Sequence, residues 1–243
     1  MIDIETLWKY DLRQGNTDHP GNGACLYDAA KWISYGEIGD DPPCACPVIR
    51  AFAIGLNDML PDDQRQRLKP FILRVANNRD PASEPARSEF LVRRAVGVIL
   101  PIALEAGRLM ERAALLRRMA RDGTLEDVRI VAEDAAGATA RLAADAGRAA
   151  TARAAACAAQ AAATAGTLSG VGTAAAEAAH AAADAGNAEV RQRVYDAAIE
   201  TLDGVLGIGR QADPFDEGEV RRAVAAFELA RGDLPALGLS DAA

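Results

Sequence analysis

Histidine, aromatic residues, positive charge and long apolar runs are all in short supply in this chain of 243 residues. Only two histidines occur, His19 and His180, and aromatics make up 5% of the sequence, so any histidine-based chemistry has two side chains to draw on. No run of about 18 uncharged apolar residues is present, which argues against a transmembrane helix. The start, Met1-Ile2-Asp3-Ile4-Glu5, lacks the basic region and apolar stretch of a secretory signal. Four cysteines are too few for a secreted disulfide scaffold of this length. Lys+Arg 27 against Asp+Glu 35 leaves a net charge of −8, which disfavours non-specific binding to nucleic acid or to anionic membranes. These absences predict a soluble cytoplasmic protein with neither a membrane nor a nucleic-acid partner.

What the chain does have is alanine. Hydrophobic residues make up 50% of it, yet in residues 131–190 roughly half of all positions are alanine. A buried alanine removes far less apolar area from water than a leucine does, so the chain is expected to fold through many closely approached helices. Alanine is the best helix former and strand signals are weak throughout. The expected class is all-α, a multi-helix bundle with close-packed alanine-rich helices. The best linker is Asp80-Pro81-Ala82-Ser83-Glu84-Pro85, which divides a cysteine-containing helical module (1–80) from an alanine-rich bundle (81–243).

Punctuation places the helices. A core-facing helix is expected over 24–34, after the loop Asp18-His19-Pro20-Gly21-Asn22-Gly23. Pro47 and Pro61 each read as a first helical position, with Pro70 a kink in the helix that follows and a stop near Asn77-Asn78. A long helical stretch is expected through Met119 with a kink or break at Pro101, then a new start at Thr124 with Asp127 in its first turn. The alanine tract is expected to run to Gly166, break at Thr167-Leu168-Ser169-Gly170 and resume from Thr173 to Gly186. The uncharged run 154–166 predicts burial. Helices over 188–206 and 215–231 complete the set. Gly204-Val205-Leu206-Gly207-Ile208-Gly209 lacks the strand–helix context of a nucleotide-binding loop and reads as a turn.

Three constellations carry possible chemistry. The first is Cys25, just inside a helix N-terminus after a glycine-rich loop, where free amides and the helix dipole favour a thiolate and an oxyanion. Asp18-His19-Pro20-Gly21-Asn22-Gly23-Ala24-Cys25-Leu26-Tyr27-Asp28-Ala29 resembles the cysteine motif of the ovarian-tumour-type thiol proteases over about a dozen residues, with Gly23-Ala24 intervening between Asn22 and Cys25. That resemblance implies Cys25 as a nucleophile with His19 or His180 as base. His180, however, falls mid-helix in an alanine segment. The alternative is that Cys25 packs as a small hydrophobe.

The second is His19, Cys25, Cys44 and Cys46, the right ligand types and number for a structural zinc at a spacing of H-x5-C-x18-C-x-C. Against it, Cys44 and Cys46 are separated by one residue rather than two, and they could equally pack the turn before the second helix. The third is an acidic lobe of Asp28, Glu37, Asp40, Asp41, Asp58, Asp62 and Asp63 for a divalent cation, without the spacing of a known cation loop. Arg93, Arg94, Arg117, Arg118 and Arg121 read either as an anion-binding stripe or as salt-bridge donors.

Cys25-Leu26-Tyr27-Asp28-Ala29, Cys44-Ala45-Cys46-Pro47-Val48-Ile49 and Leu56-Asn57-Asp58 together resemble a group of uncharacterised bacterial and bacteriophage proteins. Its members carry an N-terminal Cys-x-x-acidic-Ala … Cys-x-x-Pro-Val-Ile segment and an alanine-rich helical C-terminal half. The resemblance covers residues 16–75 by motif and implies a phage or mobile-element setting, with Asp28, Asn57 and Asp58 as candidate binding residues. The leading expectation is therefore a non-catalytic helical interaction or ligand-sequestering protein acting on a host defence system, with a protein partner or homo-oligomer and no cofactor beyond a possible structural zinc. A cysteine hydrolase using Cys25 is the alternative.

Overall fold

The computed structural model describes residues 11–15, 24–35, 39–42, 45–143 and 146–209. Within them the chain is an all-α bundle, and the only β pairing among the described residues is an isolated bridge between Leu12 and Ala24. The first two helices are α1 (Leu26–Tyr35) and α2 (Pro47–Met59). A short run follows, made of α3 (Asp62–Arg65), a 3-10 turn (Gln66–Phe71) and α4 (Ile72–Val75). Next come α5 (Glu84–Arg94), a π-helical turn (Ala95–Ile99) and α6 (Leu100–Ala106). The remaining helices are α7 (Met110–Asp122), α8 (Leu125–Arg141), α9 (Ala146–Ala163), α10 (Leu168–Asp184) and α11 (Ala188–Leu206).

Proline and capping chemistry set several of these boundaries. Pro47 opens α2, where its missing N–H costs nothing. Pro61 is instead the cap before α3, and around Pro70 the expected kinked helix tightens into the 3-10 turn. The run ends at Val75, two residues before Asn77, which adopts a left-handed φ of 51°. Pro101 has no amide to donate, and the helix absorbs it in the wider turn just before, where the Leu100 N–H reaches back to the Ala95 carbonyl. Thr124 and Asp127 form a reciprocal capping box, with Asp127 N–H on Thr124 Oγ1 at 3.1 Å and Thr124 N–H on Asp127 Oδ2 at 2.8 Å.

Two expected helices are shorter than the sequence pattern suggested. The stretch through Met119 stops at Ala106, and the Leu109 N–H closes the end on the Leu104 carbonyl at 2.8 Å. The left-handed residue there is Arg108 (φ 62°) rather than the adjacent glycine, so the turn carries little signal. The alanine tract divides after Arg141 into α8 and α9, which pack against each other. In the other direction, α10 starts at Leu168, ahead of the expected Thr173. Gly204 lies inside α11, so the turn is confined to residues 207–209. The expected helix 215–231 lies outside the described residues.

The middle of the bundle is α10, packed against α2, α9, α11, α5 and α6. Val171, Ala174, Ala175, Ala178, Ala179, Ala181 and Ala182 are buried on it. Ala154, Ala155, Ala158, Ala159, Ala161 and Ala162 of the uncharged run are buried too, on α9. Such small side chains bring helix axes close together. The approach is tight between α2 and α10. A Cβ placed on Gly55 would come within 2.5 Å of the Ala176 methyl, and one on Gly172 would run into the Val48 carbonyl and lie 2.8 Å from the Phe52 amide. Gly172 thus faces Val48–Phe52 and Ala176 faces Gly55, so the two helices run parallel. A single buried apolar cluster extends from Leu12 to Leu206, on both sides of the Asp80–Pro85 segment.

This crossing predicts that Gly172→Ala destabilises the protein by about 2 kcal/mol or more, because backbone rather than a flexible side chain must yield. Gly166→Ala, with nothing within 4 Å of the new methyl, changes stability by less than about 0.5 kcal/mol. Urea titrations followed by circular dichroism measure both.

Candidate functional site

Cys25 turns out to be the cap of α1. Its carbonyl accepts the first helical hydrogen bond, from Ala29 at 3.0 Å. The Asp28 N–H donates to Cys25 Sγ at 3.3 Å, and the Cys25 N–H donates to Asp28 Oδ2 at 3.3 Å. This is a capping box with a thiol in place of the usual hydroxyl, and it accounts for the Cys-x-x-acidic spacing. Cys25 is 2% exposed. Burial first, and the Asp28 charge second, push its thiol up to about 12. The helix dipole does not prevail here, and the thiolate that a nucleophile needs is disfavoured.

Asn57 is fully buried and ties three segments together. Its Oδ1 accepts from the Leu26 N–H at 3.2 Å, while its Nδ2 donates to the Arg13 carbonyl at 2.9 Å. Buried Arg65 closes the end of α2, donating to the Asn57 carbonyl at 2.7 Å, the Leu60 carbonyl at 2.5 Å and the Asp62 carboxylate at 2.5 Å. Asp28 and Asn57, two of the three candidate binding residues, are therefore occupied within the fold. Asp58 accepts the Gly15 N–H at 3.0 Å and still reaches an open surface.

The candidate zinc quartet is described only in part, because His19 and Cys44 lie outside the described residues. Cys46 is buried at the cap of α2, and its N–H donates to Asn78 Oδ1 at 2.8 Å. Among the described residues, no three His, Cys, Asp or Glu side chains gather as a metal would require. The acidic lobe is dispersed: Asp41 pairs with Lys31 at 3.2 Å, Asp62 with Arg65, and Asp40 lies 3.9 Å from Arg50, while Glu37 lies outside the described residues. Arg93 closes the end of α7 on the Ala120 and Gly123 carbonyls, Arg94 reaches Thr201 and Glu200, Arg117 pairs with Glu105 and Arg121 with Asp122. These arginines behave as salt-bridge and capping donors.

The feature that does present groups to solvent is a trough of about 1090 Å³ whose floor is α10 and whose walls are α2 and α9. Among the described side chains of α10, only Ser169, Thr173, Glu177, His180 and Asp184 are exposed, and all five line the trough. Their intervals of 4, 4, 3 and 4 keep them on one helical face. The α2 wall brings Pro47, Arg50, Ile54, Asp58 and Met59, again at helical intervals. From α9 come Arg153 and Cys157, one turn apart. Arg153 pairs with Asp184 at 2.6 Å, and His180 Nε2 lies 3.8 Å from the same carboxylate. Cys157 is half-buried, and burial, with the Glu177 charge second, raises its thiol above the ordinary value. Glu177 itself makes no hydrogen bond or ion pair among the described residues.

His180 thus lies in the trough, and the groups that set the ionisation of Cys25 are its own burial, Asp28 and Tyr27. Glu177, Asp184, Arg153, Arg50 and Cys157 were not singled out from the sequence. The available signal was a polar residue on every turn of an otherwise alanine-rich helix. Comparison with protein-family models, with characterised proteins and with solved structures finds no match to this chain.

Two outcomes follow for the cysteines. Iodoacetamide at pH 8 should label Cys157 well before Cys25, as peptide mapping over time would show; equal rates would contradict the burial of Cys25. The folded Cys25 pKa of about 12 lies above the ordinary 9.0, so the stability it contributes is complete below pH 9 and lost as pH rises towards 12. Cys25→Ser keeps a capping oxygen and flattens part of that alkaline decline in urea titrations. The slope that remains comes from the other groups that burial pushes upward, Tyr27 foremost, with Tyr195 and Cys157.

Proposed function

We propose that the protein is a non-catalytic binding protein that holds a ligand in the α2–α9–α10 trough. The observation that carries this reading is the exposure pattern of α10: a helix packed against α2, α9, α11, α5 and α6 opens to solvent along one polar stripe, and that stripe is the trough floor. Pockets of about 300–1,000 Å³ are the usual size for ligand sites, and this one, at about 1090 Å³, is slightly larger. Its lining mixes apolar walls from Pro47, Ile54 and Met59 with charged and hydrogen-bonding groups, the balance of a surface that orients a ligand. The hydrolase alternative gains no support from Cys25, whose thiol is protonated, buried and engaged in capping.

The test is native mass spectrometry of the full chain isolated gently from its natural cell. The wild type is expected to retain a bound mass. Thr173→Trp, which fills the trough from an exposed position, is expected to lose that mass while the circular dichroism spectrum and thermal midpoint stay unchanged. Cys25→Ala should bind as the wild type does. A bound mass retained by Thr173→Trp, or lost in Cys25→Ala at temperatures where that variant is folded, would overturn the assignment of the trough.

A further inference from the structure

We infer that the ligand is an extended peptide of about six or seven residues carrying a lysine or arginine that meets Glu177; this rests on the binding reading above. Three observations point there. The first is size. The stripe from Ser169 to Asp184 spans 15 residue steps, about 22 Å at the α-helical rise of about 1.5 Å per residue. An extended chain, with strands spaced about 4.8 Å apart in a sheet, is narrow enough to lie along that length between α2 and α9. At about 3.3 Å per residue, 22 Å accommodates six or seven extended residues.

The second is the chemistry of the floor. A helical ligand satisfies its own backbone and seeks an apolar seat, but the floor here is Ser169, Thr173, Glu177, His180 and Asp184. An extended peptide brings unpaired N–H and C=O groups at every residue, and these need donors and acceptors of that kind. The apolar residues Ile54 and Met59 on the α2 wall receive side chains pointing to that side. The third is charge. The trough holds the arginines Arg50 and Arg153 against the carboxylates Asp58, Glu177 and Asp184, a balance of 2 − 3 = −1 between these two kinds of group. Asp184 is paired with Arg153 and Asp58 accepts Gly15, which leaves Glu177 as the carboxylate without a partner among the described residues. A cation on the ligand satisfies it, and a polyanion such as a nucleic acid is repelled.

Two fluorescein-labelled heptapeptide pools test the inference, one with lysine and one with glutamate fixed at the central position, the other positions randomised without cysteine. Fluorescence anisotropy with the full-length protein is expected to show the lysine pool binding about three- to five-fold more tightly. Glu177→Gln should abolish the preference and Glu177→Lys should reverse it, both at unchanged thermal midpoint. Saturating lysine pool should also slow alkylation of Cys157, which lies in the trough, and leave Cys25 unaffected. The inference is overturned if neither pool binds below about 1 mM, if the preference survives Glu177→Lys, or if binding leaves Cys157 unprotected. A bound mass lost in Thr173→Trp alongside failure of both pools would retain the trough as a ligand site and remove the peptide as its occupant. Loss of both results would remove the trough reading itself.

Discussion

The contact on which the rest of this structure depends is the backbone-level crossing of α2 and α10. Gly172 lies directly against the Val48 carbonyl and the Phe52 amide, and Gly55 lies against Ala176. With only glycines and the methyl groups of Ala51 and Ala176 at the crossing, main-chain atoms of the two helices come into direct dispersion contact. The crossing also sets the geometry of everything beside it. It fixes α2 as a low wall alongside α10, and α9, packed on the other flank of α10, completes the trough. A bulkier residue at either glycine would lift α2 away and open the floor.

A second set of contacts ties the N-terminal segments to that crossing, and it is made of hydrogen bonds rather than apolar area. Asn57 on α2 holds the start of α1 and residue Arg13; Arg65 folds back on the last carbonyls of α2; Asn78 reaches the cap at Cys46 and Arg87 reaches Asn78. Each of these polar groups is buried, where an unmet donor or acceptor costs about 1–3 kcal/mol. The segment 1–80 contains the residues with the strongest resemblance-based expectations, and the structure uses Cys25, Asp28, Cys46 and Asn57 for capping and bridging. In this chain, closing helix ends accounts for these residues without invoking chemistry.

The helical class was legible because alanine content and weak strand signal agree, and Thr124 with Asp127 announced a helix start that the capping box realises. The break at Arg108 was not legible, since a left-handed arginine next to a glycine looks like the glycine's own turn. Nor was the division of the alanine tract after Arg141, because alanine favours helix on both sides of any turn and marks no boundary. Of the candidate site residues, Asp58 alone combines a structural hydrogen bond with a place on the trough. The stripe from Ser169 to Asp184 was present in the sequence as a 4, 4, 3, 4 spacing, but its meaning depends on knowing that every other described side chain of α10 except the glycine at 170 is enclosed. Periodicity locates a polar face, and only tertiary packing says whether it looks onto open solvent or into a cleft.

Alanine packing has a thermal corollary. The heat capacity of unfolding follows the apolar area newly exposed to water, and residues whose buried side chain is one methyl expose little of it. Alanine also has no side-chain rotamers to freeze, so ordering α9 and α10 costs backbone entropy and almost nothing more. The free energy of this bundle therefore varies with temperature along a flatter arc than that of a leucine-cored protein of equal length. Its resistance to cold extends further below the temperature of greatest stability, and its unfolding enthalpy changes less across the physiological range.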